Sequence, residues 1–453
     1  MKILILSHSS ELAGAERSML DLFDHWAKKG LVEPHFIIRR PVKNLAPELR
    51  KRGWGYTAVH YTNWSQRNPS GRAEDVFRNA QFNTKAIFAI EELIGKLKPD
   101  VVMTNTIVSP WAAIAAHFQK VPHVWFVREY GDTDHQHVFE LGRQKTYQDV
   151  DALSKLVVTN STSLAKYLGQ YIDKNKVVPL YTPFNLDYLR QKSLQSAKNP
   201  YKHKDSLKLV ITGKITPSKG QSEAAEAVGR LNKMGHDAEL CIIGSPKEPG
   251  DDEPLKNIIE THKLGDKVHL IGEQSNPLAI LRYADVGIMA SQQEAFGRVT
   301  FEYMVVGLPV VGSNSGATPE MIEDGKNGYL YNNGSVDSLV AQLIKYAGNR
   351  SLINVHGEAA QKKAQLMMKG QYNADALMGK VIAIAKDKDK GKYLSRPLNF
   401  SHRWLEYPGI ADQYIKDSDV LSLGRIIYLR LRHSFKLAYL WVAAPFGNHK
   451  RYK

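Results

Sequence analysis

The strongest constraint on this chain is an alternation that runs through it twice. In the first half, short apolar runs, KILILS (2–7), EPHFIIRR (33–40), DVVMTN (100–105), PHVWFVRE (122–129) and KLVVTNS (155–161), alternate with helix-patterned stretches. Those stretches include AERSMLDLFDHWAKKG, AIFAIEELIGKLKPD and PWAAIAAHF; Leu93 and Leu97 share one face of the second. Near-continuous apolar runs of strand length, each followed by an amphipathic helix, fit βαβ units and a parallel sheet buried on both faces. A polar, basic stretch, LRQKSLQSAKNPYKHKDS (189–206), interrupts the pattern and reads as a connection between domains. The alternation then restarts with LKLVITG, AELCIIG, KVHLIG, VGIMAS and PVVGS as strands, and SEAAEAVGRLNKMG, LKNIIETHKLG, PLAILRYA, FEYMVVG and VDSLVAQLIKYAG as helices. The expected class is therefore α/β, with two doubly wound Rossmann-like domains: 1–188, a linker 189–206, 207–370, and a final extension 371–453. A length of 453 residues suits two cores with extra segments.

The lone cysteine, Cys241, excludes an internal disulfide framework, argues against a thiolate zinc site, and reads as a small buried apolar residue. The opening MKILILSHSS lacks the length and cleavage site of a leader, and no stretch reaches the roughly 18–20 apolar residues of a spanning helix. The expectation is a cytoplasmic protein. A formal charge of +15 favours polyanionic partners: nucleotide phosphates, nucleic acid or an anionic membrane. Nucleic acid is the weakest of these, since no aromatic-basic motif on a recognised scaffold accompanies the charge. After about residue 386 the pattern breaks. The segment 424–453 carries aromatics, aliphatics and only basic charges, with Arg425, Arg432 and Lys436 on one helical face. It reads either as a peripheral helix at the inner face of a membrane or as a helix packed back on the first domain.

Chemistry concentrates in three loops, each following a strand of the second half. EAFGRVTFE places Glu294 and Glu302 around Gly297 at a helix start, where free N–H groups suit a phosphate. Glu302 can accept hydrogen bonds from a ribose diol, and Glu294 from sugar hydroxyls; the alternative is that Glu302 is a first-turn glutamate favoured by the helix dipole. GKITPSKGQ (213–221) brackets a turn with Lys214 and Lys219, a pair suited to a diphosphate, or else a solvated basic loop. SGATPEMI (315–322) adds small residues and ends at Glu320. DTDHQH (132–137) reads as a polar loop in preference to a metal site, so no metal is expected. No P-loop, zinc signature or serine elbow appears.

Taken together, Glu294 and Glu302 with seven residues between them, the following GLPVV and GATPEMIEDGKNGYLY resemble the retaining glycosyltransferases of family 4, which have the GT-B fold. The resemblance extends from LAGAERSML to VDSLVAQLI. It implies a nucleotide-sugar donor, no further cofactor, and a glycan or lipid-linked acceptor, as in cell-surface polysaccharide synthesis. It assigns the ribose to Glu302, donor-sugar hydroxyls to Glu294 and the diphosphate to Lys219. Lys214 stands where the family often has arginine. Gly213 belongs to the lysine loop. The backbone of Phe296, Gly297, Arg298 and Val299 is placed at sugar and phosphates, and Gly14 at the diphosphate from the opposite domain. Many members carry a histidine after the strand that here reads VWFVREYG. This chain has Arg128 and Glu129, which read either as groups at the reaction centre or as a buried ion pair. No carboxylate nucleophile can be placed beside the anomeric carbon, so the resemblance implies front-face substitution. The competing readings are an epimerase or phosphorylase on the same fold, and a non-catalytic partner subunit.

Overall fold

The computed structural model describes residues 1–69, 73–181, 184–369, 374–387 and 398–399. The proposed membrane segment 424–453 lies outside the described residues.

The first domain is a seven-stranded sheet in the order β3-β2-β1-β4-β5-β6-β7, formed by β1 (Lys2–Ser7), β2 (Glu33–Arg39), β3 (Gly55–Val59), β4 (Val101–Asn105), β5 (His123–Val127), β6 (Leu156–Thr159) and β7 (Val177–Pro179). All its pairings are parallel. The central strands β1, β4, β5 and β6 are buried on both faces, which explains their unbroken apolar runs. Helix α1 (Gly14–Lys28) lays Met19, Leu22, Phe23 and Trp26 on the sheet, the i, i+3, i+4, i+7 face its sequence encodes.

The second domain repeats the plan with six parallel strands in the order β10-β9-β8-β11-β12-β13: β8 (Leu207–Thr212), β9 (Ala238–Ile243), β10 (Val268–Leu270), β11 (Val286–Met289), β12 (Val310–Ser313) and β13 (Gly328–Tyr331). Cys241 is fully buried in β9. The edge strands β3 and β7 escape the sequence reading, because a short, half-buried edge strand carries no apolar run.

The connecting stretch 189–206 is anchored on the second domain. Helix α2 (Leu186–Ser193) covers its start and buries Leu189 in the second domain's core. Tyr201 is buried too, donating its hydroxyl to Leu209 O at 2.8 Å, and Glu239 accepts the backbone N–H groups of Lys202 and His203. Polar composition hid two apolar anchors. Further on, α3 (Ala374–Lys386) returns to the first domain. Leu377, Met378 and Val381 join that core, Trp26 Nε1 donates to Ala374 O at 2.9 Å, and Lys29 meets Asp375 at 2.6 Å. Among the described residues no helix is long and apolar enough to cross a membrane.

Candidate active site

The three motif loops of the second domain leave the carboxyl ends of β8, β11 and β12, the edge where parallel sheets present ligands. The lysine loop ends in a short turn, Pro217–Lys219, and then Gly220 at φ +72. Lys219 Nζ meets the Glu294 carboxylate, which also accepts from Ser291 Oγ at 2.7 Å. Burial pushes Glu294 up, but the Lys219 charge and hydrogen bond prevail and hold it below the usual carboxylate range. Gly297, at φ +82, caps helix α4 (Arg298–Val305) and turns that helix's first N–H groups toward the same space. Thr300 Oγ1 lies beneath this turn with no hydrogen-bond partner among the described residues. The result is an open-mouthed cavity with about 530 Å³ of empty space, its mouth included. Gly213, Lys219, Glu294, Gly297, Arg298 and Val299 all line it.

The other expected residues lie elsewhere. Lys214 Nζ is 2.6 Å from Glu273 Oε2 and 3.1 Å from Ser245 Oγ, out on the exposed edge. Lys214 pairs with Glu273, just past β10, and of the two lysines only Lys219 lines the cavity. Phe296 turns its ring into the core against Phe184 and Tyr181, leaving only its backbone for a ligand. Glu302 sits one turn below the cavity, 3.1 Å from Arg298 Nε. Burial raises its pKa against the pull of Arg298.

Arg298 spans the cleft. It reaches Ser18 Oγ at 3.2 Å and Asp21 Oδ2 at 3.4 Å on α1, and its guanidinium lies 4.6 Å from the centre of the Phe184 ring. Gly14 begins α1, and a Cβ there would stand in open space. Two further contacts tie the domains. Glu320 accepts the N–H groups of Thr162 at 3.1 Å and Ser163 at 2.5 Å, and Arg67 meets Asp251 at 3.2 Å.

On the first domain's side, Arg128 Nε donates to Asn105 Oδ1 at 2.5 Å, and burial lowers the guanidinium's pKa to about 10. Glu129 accepts Ile107 N–H at 2.6 Å, and burial pushes it up to about 7. Sequence reasoning passed over His8, the first residue after β1, whose Nδ1 is 3.0 Å from Glu16 Oε1. Burial lowers the His8 pKa, but the charge and hydrogen bond of Glu16 and the charge of Glu129 together outweigh it, and the net shift is upward. Its position directly after an apolar strand was the available signal. The 132–137 loop forms a turn whose Asp134 accepts Tyr130 N–H at 2.9 Å and Gly131 N–H at 2.8 Å. The charges of Lys219 and Glu294 bear on its His135, so this loop approaches the cavity from the first domain. No three His, Cys, Asp or Glu side chains converge as a metal-binding group among the described residues.

Two family descriptions match the chain: Glycosyltransferase Family 4 over residues 12–188 and Glycosyl transferases group 1 over residues 194–363. An N-acetyl-alpha-D-glucosaminyl L-malate synthase from Bacillus anthracis is 25% identical over 46% of this chain and 54% of its own length. The amylovoran biosynthesis glycosyltransferase AmsK of Erwinia amylovora is 30% identical over 38% of this chain and 44% of its own. The chain thus spans about half the length of the curated relatives it matches. In shape it is similar to Anabaena Alr3699/HepE, solved in complex with UDP. That likeness has a TM-score of 0.64 at 18% identity, covers 84% of this chain and 99% of that one, and is a likeness of fold.

Proposed function

Because the chain belongs to the family 4 glycosyltransferases and has their GT-B fold, we propose that it is a retaining, metal-independent transferase. It moves a sugar from a nucleoside-diphosphate donor to a glycan or lipid-linked acceptor in surface-polysaccharide synthesis. The observation that carries this reading is the convergence of Lys219, Glu294 and the start of α4 on one cavity facing α1 of the other domain. Two of the named relatives support it: AmsK is described by amylovoran biosynthesis and HepE was solved with UDP.

In this mechanism the diphosphate lies between Lys219 and the N–H groups of α4, with Gly14 admitting it from the first domain. The ribose diol donates to Glu302, and the donor sugar's hydroxyls donate to Glu294. The acceptor hydroxyl attacks the anomeric carbon on the face the leaving group departs from. The new C–O bond forms as the carbon–phosphate oxygen bond breaks, and the acceptor's proton passes to that phosphate oxygen. Lys219 and the helix start stabilise the diphosphate charge, the work a divalent cation does in other transferases. Arg298, bridging Glu302 to α1, couples the donor site to domain closure, which excludes water from the reactive donor. The cytoplasmic face is the proposed location, and a membrane contact through 424–453 fits a lipid-linked acceptor.

The test is a screen of UDP- and GDP-sugars with simple glycoside acceptors, following nucleoside-diphosphate release and the product anomer by NMR. An axial donor giving an axial product supports the reading. Inverted product removes the retaining mechanism, and no release with any donor removes the activity.

A further inference from the structure

Between β7 and α2 the chain crosses from the first domain to the second. Tyr181 and Phe184, on that passage, are buried in the second domain's core. Both pack on the loop that carries Glu294. The Phe296 ring centre lies 5.4 Å from that of Tyr181 and 5.8 Å from that of Phe184. Successive side chains of this loop go to different places. Glu294 meets Lys219 inside the second domain, Ala295 packs into the first domain's core, and Phe296 packs on the crossover.

Glu320, on the neighbouring loop, ties the same three parts together. Its Oε1 accepts Ser163 N–H at 2.5 Å and its Oε2 accepts Thr162 N–H at 3.1 Å, both on the first domain. Oε2 also accepts the Tyr181 hydroxyl on the crossover. On its own side, Glu320 follows Ala317, whose N–H donates to Glu294 O at 2.8 Å, and Gly316, which lies against the same peptide. One carboxylate thus joins the first domain, the crossover and the loop that carries Glu294. Glu320 is not among the residues that line the donor cavity.

The contact calls for a carboxylate and is able to open. Three donors converge on two oxygens, which an ionised glutamate meets in full. An amide offers one oxygen and turns two N–H groups toward the same donors. The helix Thr162–Leu168 has its own cap, since Ser161 Oγ accepts Leu164 N–H at 3.1 Å. Thr162 is exposed and Ser163 half-buried, so water replaces Glu320 at their N–H groups when the domains part.

We propose that Glu320 is a positioning residue: it latches the two domains together with Glu294 in place, without touching the donor. The consequence for the reaction, exclusion of water from the donor sugar, rests on the transferase reading; the latch itself does not.

The experiment compares the full chain with Glu320→Gln and Tyr181→Phe. Nitroxides at Lys166→Cys and Lys326→Cys, both exposed positions in opposite domains, report the separation by double electron–electron resonance; Cys241 is fully buried and stays unlabelled. The otherwise unaltered chain is expected to give one dominant distance. Glu320→Gln is expected to add a longer, broader population, and Tyr181→Phe a smaller share of it, with melting temperatures retained. With the donor and acceptor found in the screen above, the ratio of donor hydrolysis to sugar transfer is expected to rise about tenfold in Glu320→Gln. Its affinity for UDP or GDP is expected to hold, because Lys219, Glu294 and Glu302 all belong to the second domain. An unchanged distance distribution in folded Glu320→Gln would overturn the latch. A lowered melting temperature with neither readout moved would do the same and reduce Glu320 to a structural cap. A longer distribution with an unchanged hydrolysis-to-transfer ratio would overturn its part in the reaction. Failure of UDP and GDP to bind any of the proteins would strike the donor reading alone, and the distance measurement would still decide the latch.

Discussion

Lys219 and Glu294 can be a ligand clamp or merely a structural ion pair, and a double-mutant cycle separates the two. Lys219→Met removes the ammonium and keeps the apolar stem. Glu294 is 15% exposed and keeps its bond from Ser291 Oγ at 2.7 Å, so its carboxylate loses its countercharge but not all its partners. Breaking a fully buried pair costs about 3–5 kcal/mol. Lys219 is 29% exposed, which brings the expected loss to about 2 kcal/mol. Adding Glu294→Gln removes the stranded charge and should recover most of that loss in a urea melt. Nucleotide binding behaves differently. A charge-assisted hydrogen bond to a phosphate is worth about 1.5–3 kcal/mol, so Lys219→Met should weaken UDP or GDP, whichever binds, by roughly ten- to a hundredfold. The double variant should stay as weak. Calorimetry on the four proteins reads one axis and urea unfolding the other. Wild-type affinity in Lys219→Met, or affinity returning along with stability in the double variant, would refute the clamp.

Two more outcomes follow from the packing and the buried charges. Gly316 sits at φ +54, and a Cβ there would come within 2.3 Å of Glu294 O and 2.8 Å of Glu294 N. Gly316→Ala should therefore cost more than about 2 kcal/mol in unfolding and weaken nucleotide binding by displacing Glu294; a neutral effect would show that the third loop does not support the site. Glu129 is held up to about 7 by burial, against Ile107 N–H and the charges of His8 and Arg128, and with the repulsion of Asp134. A raised carboxyl favours the folded state at low pH and loses that contribution as pH rises from about 4.5 through about 7, by roughly 3.5 kcal/mol. Glu129→Gln should flatten the fall in melting temperature across that window, and an unchanged slope would assign it to another group.

Much of this architecture was legible because buried parallel strands must be apolar on both faces. β1, β4, β8 and β9 announce themselves, and the E-x7-E loop places Glu294, Gly297 and Arg298 at one helix start. The hidden parts have physical reasons. The direction of Lys214 depends on Glu273, 59 residues away in sequence. Nothing local in AFGRVTFE says that the Phe296 ring belongs to the core while its neighbours line the cavity, or that Arg298 will cross to Asp21. His8 and Thr106 read as ordinary turn residues until strand register sets them next to each other at the ends of β1 and β4. The anchors of the connecting stretch 189–206, Leu189 and Tyr201, escape notice because they are diluted among lysines.

The most direct test of the donor site is calorimetric titration of the full chain with UDP and with GDP, repeated on Glu302→Gln. The expected result is binding of one nucleotide, weakened at least severalfold in the variant while the fold is retained, because a neutral amide accepts less strongly from a ribose diol than a carboxylate does. Binding of neither nucleotide by folded wild-type protein would contradict the account. Identical affinity in Glu302→Gln would remove Glu302 from the donor site and leave it as the partner of Arg298.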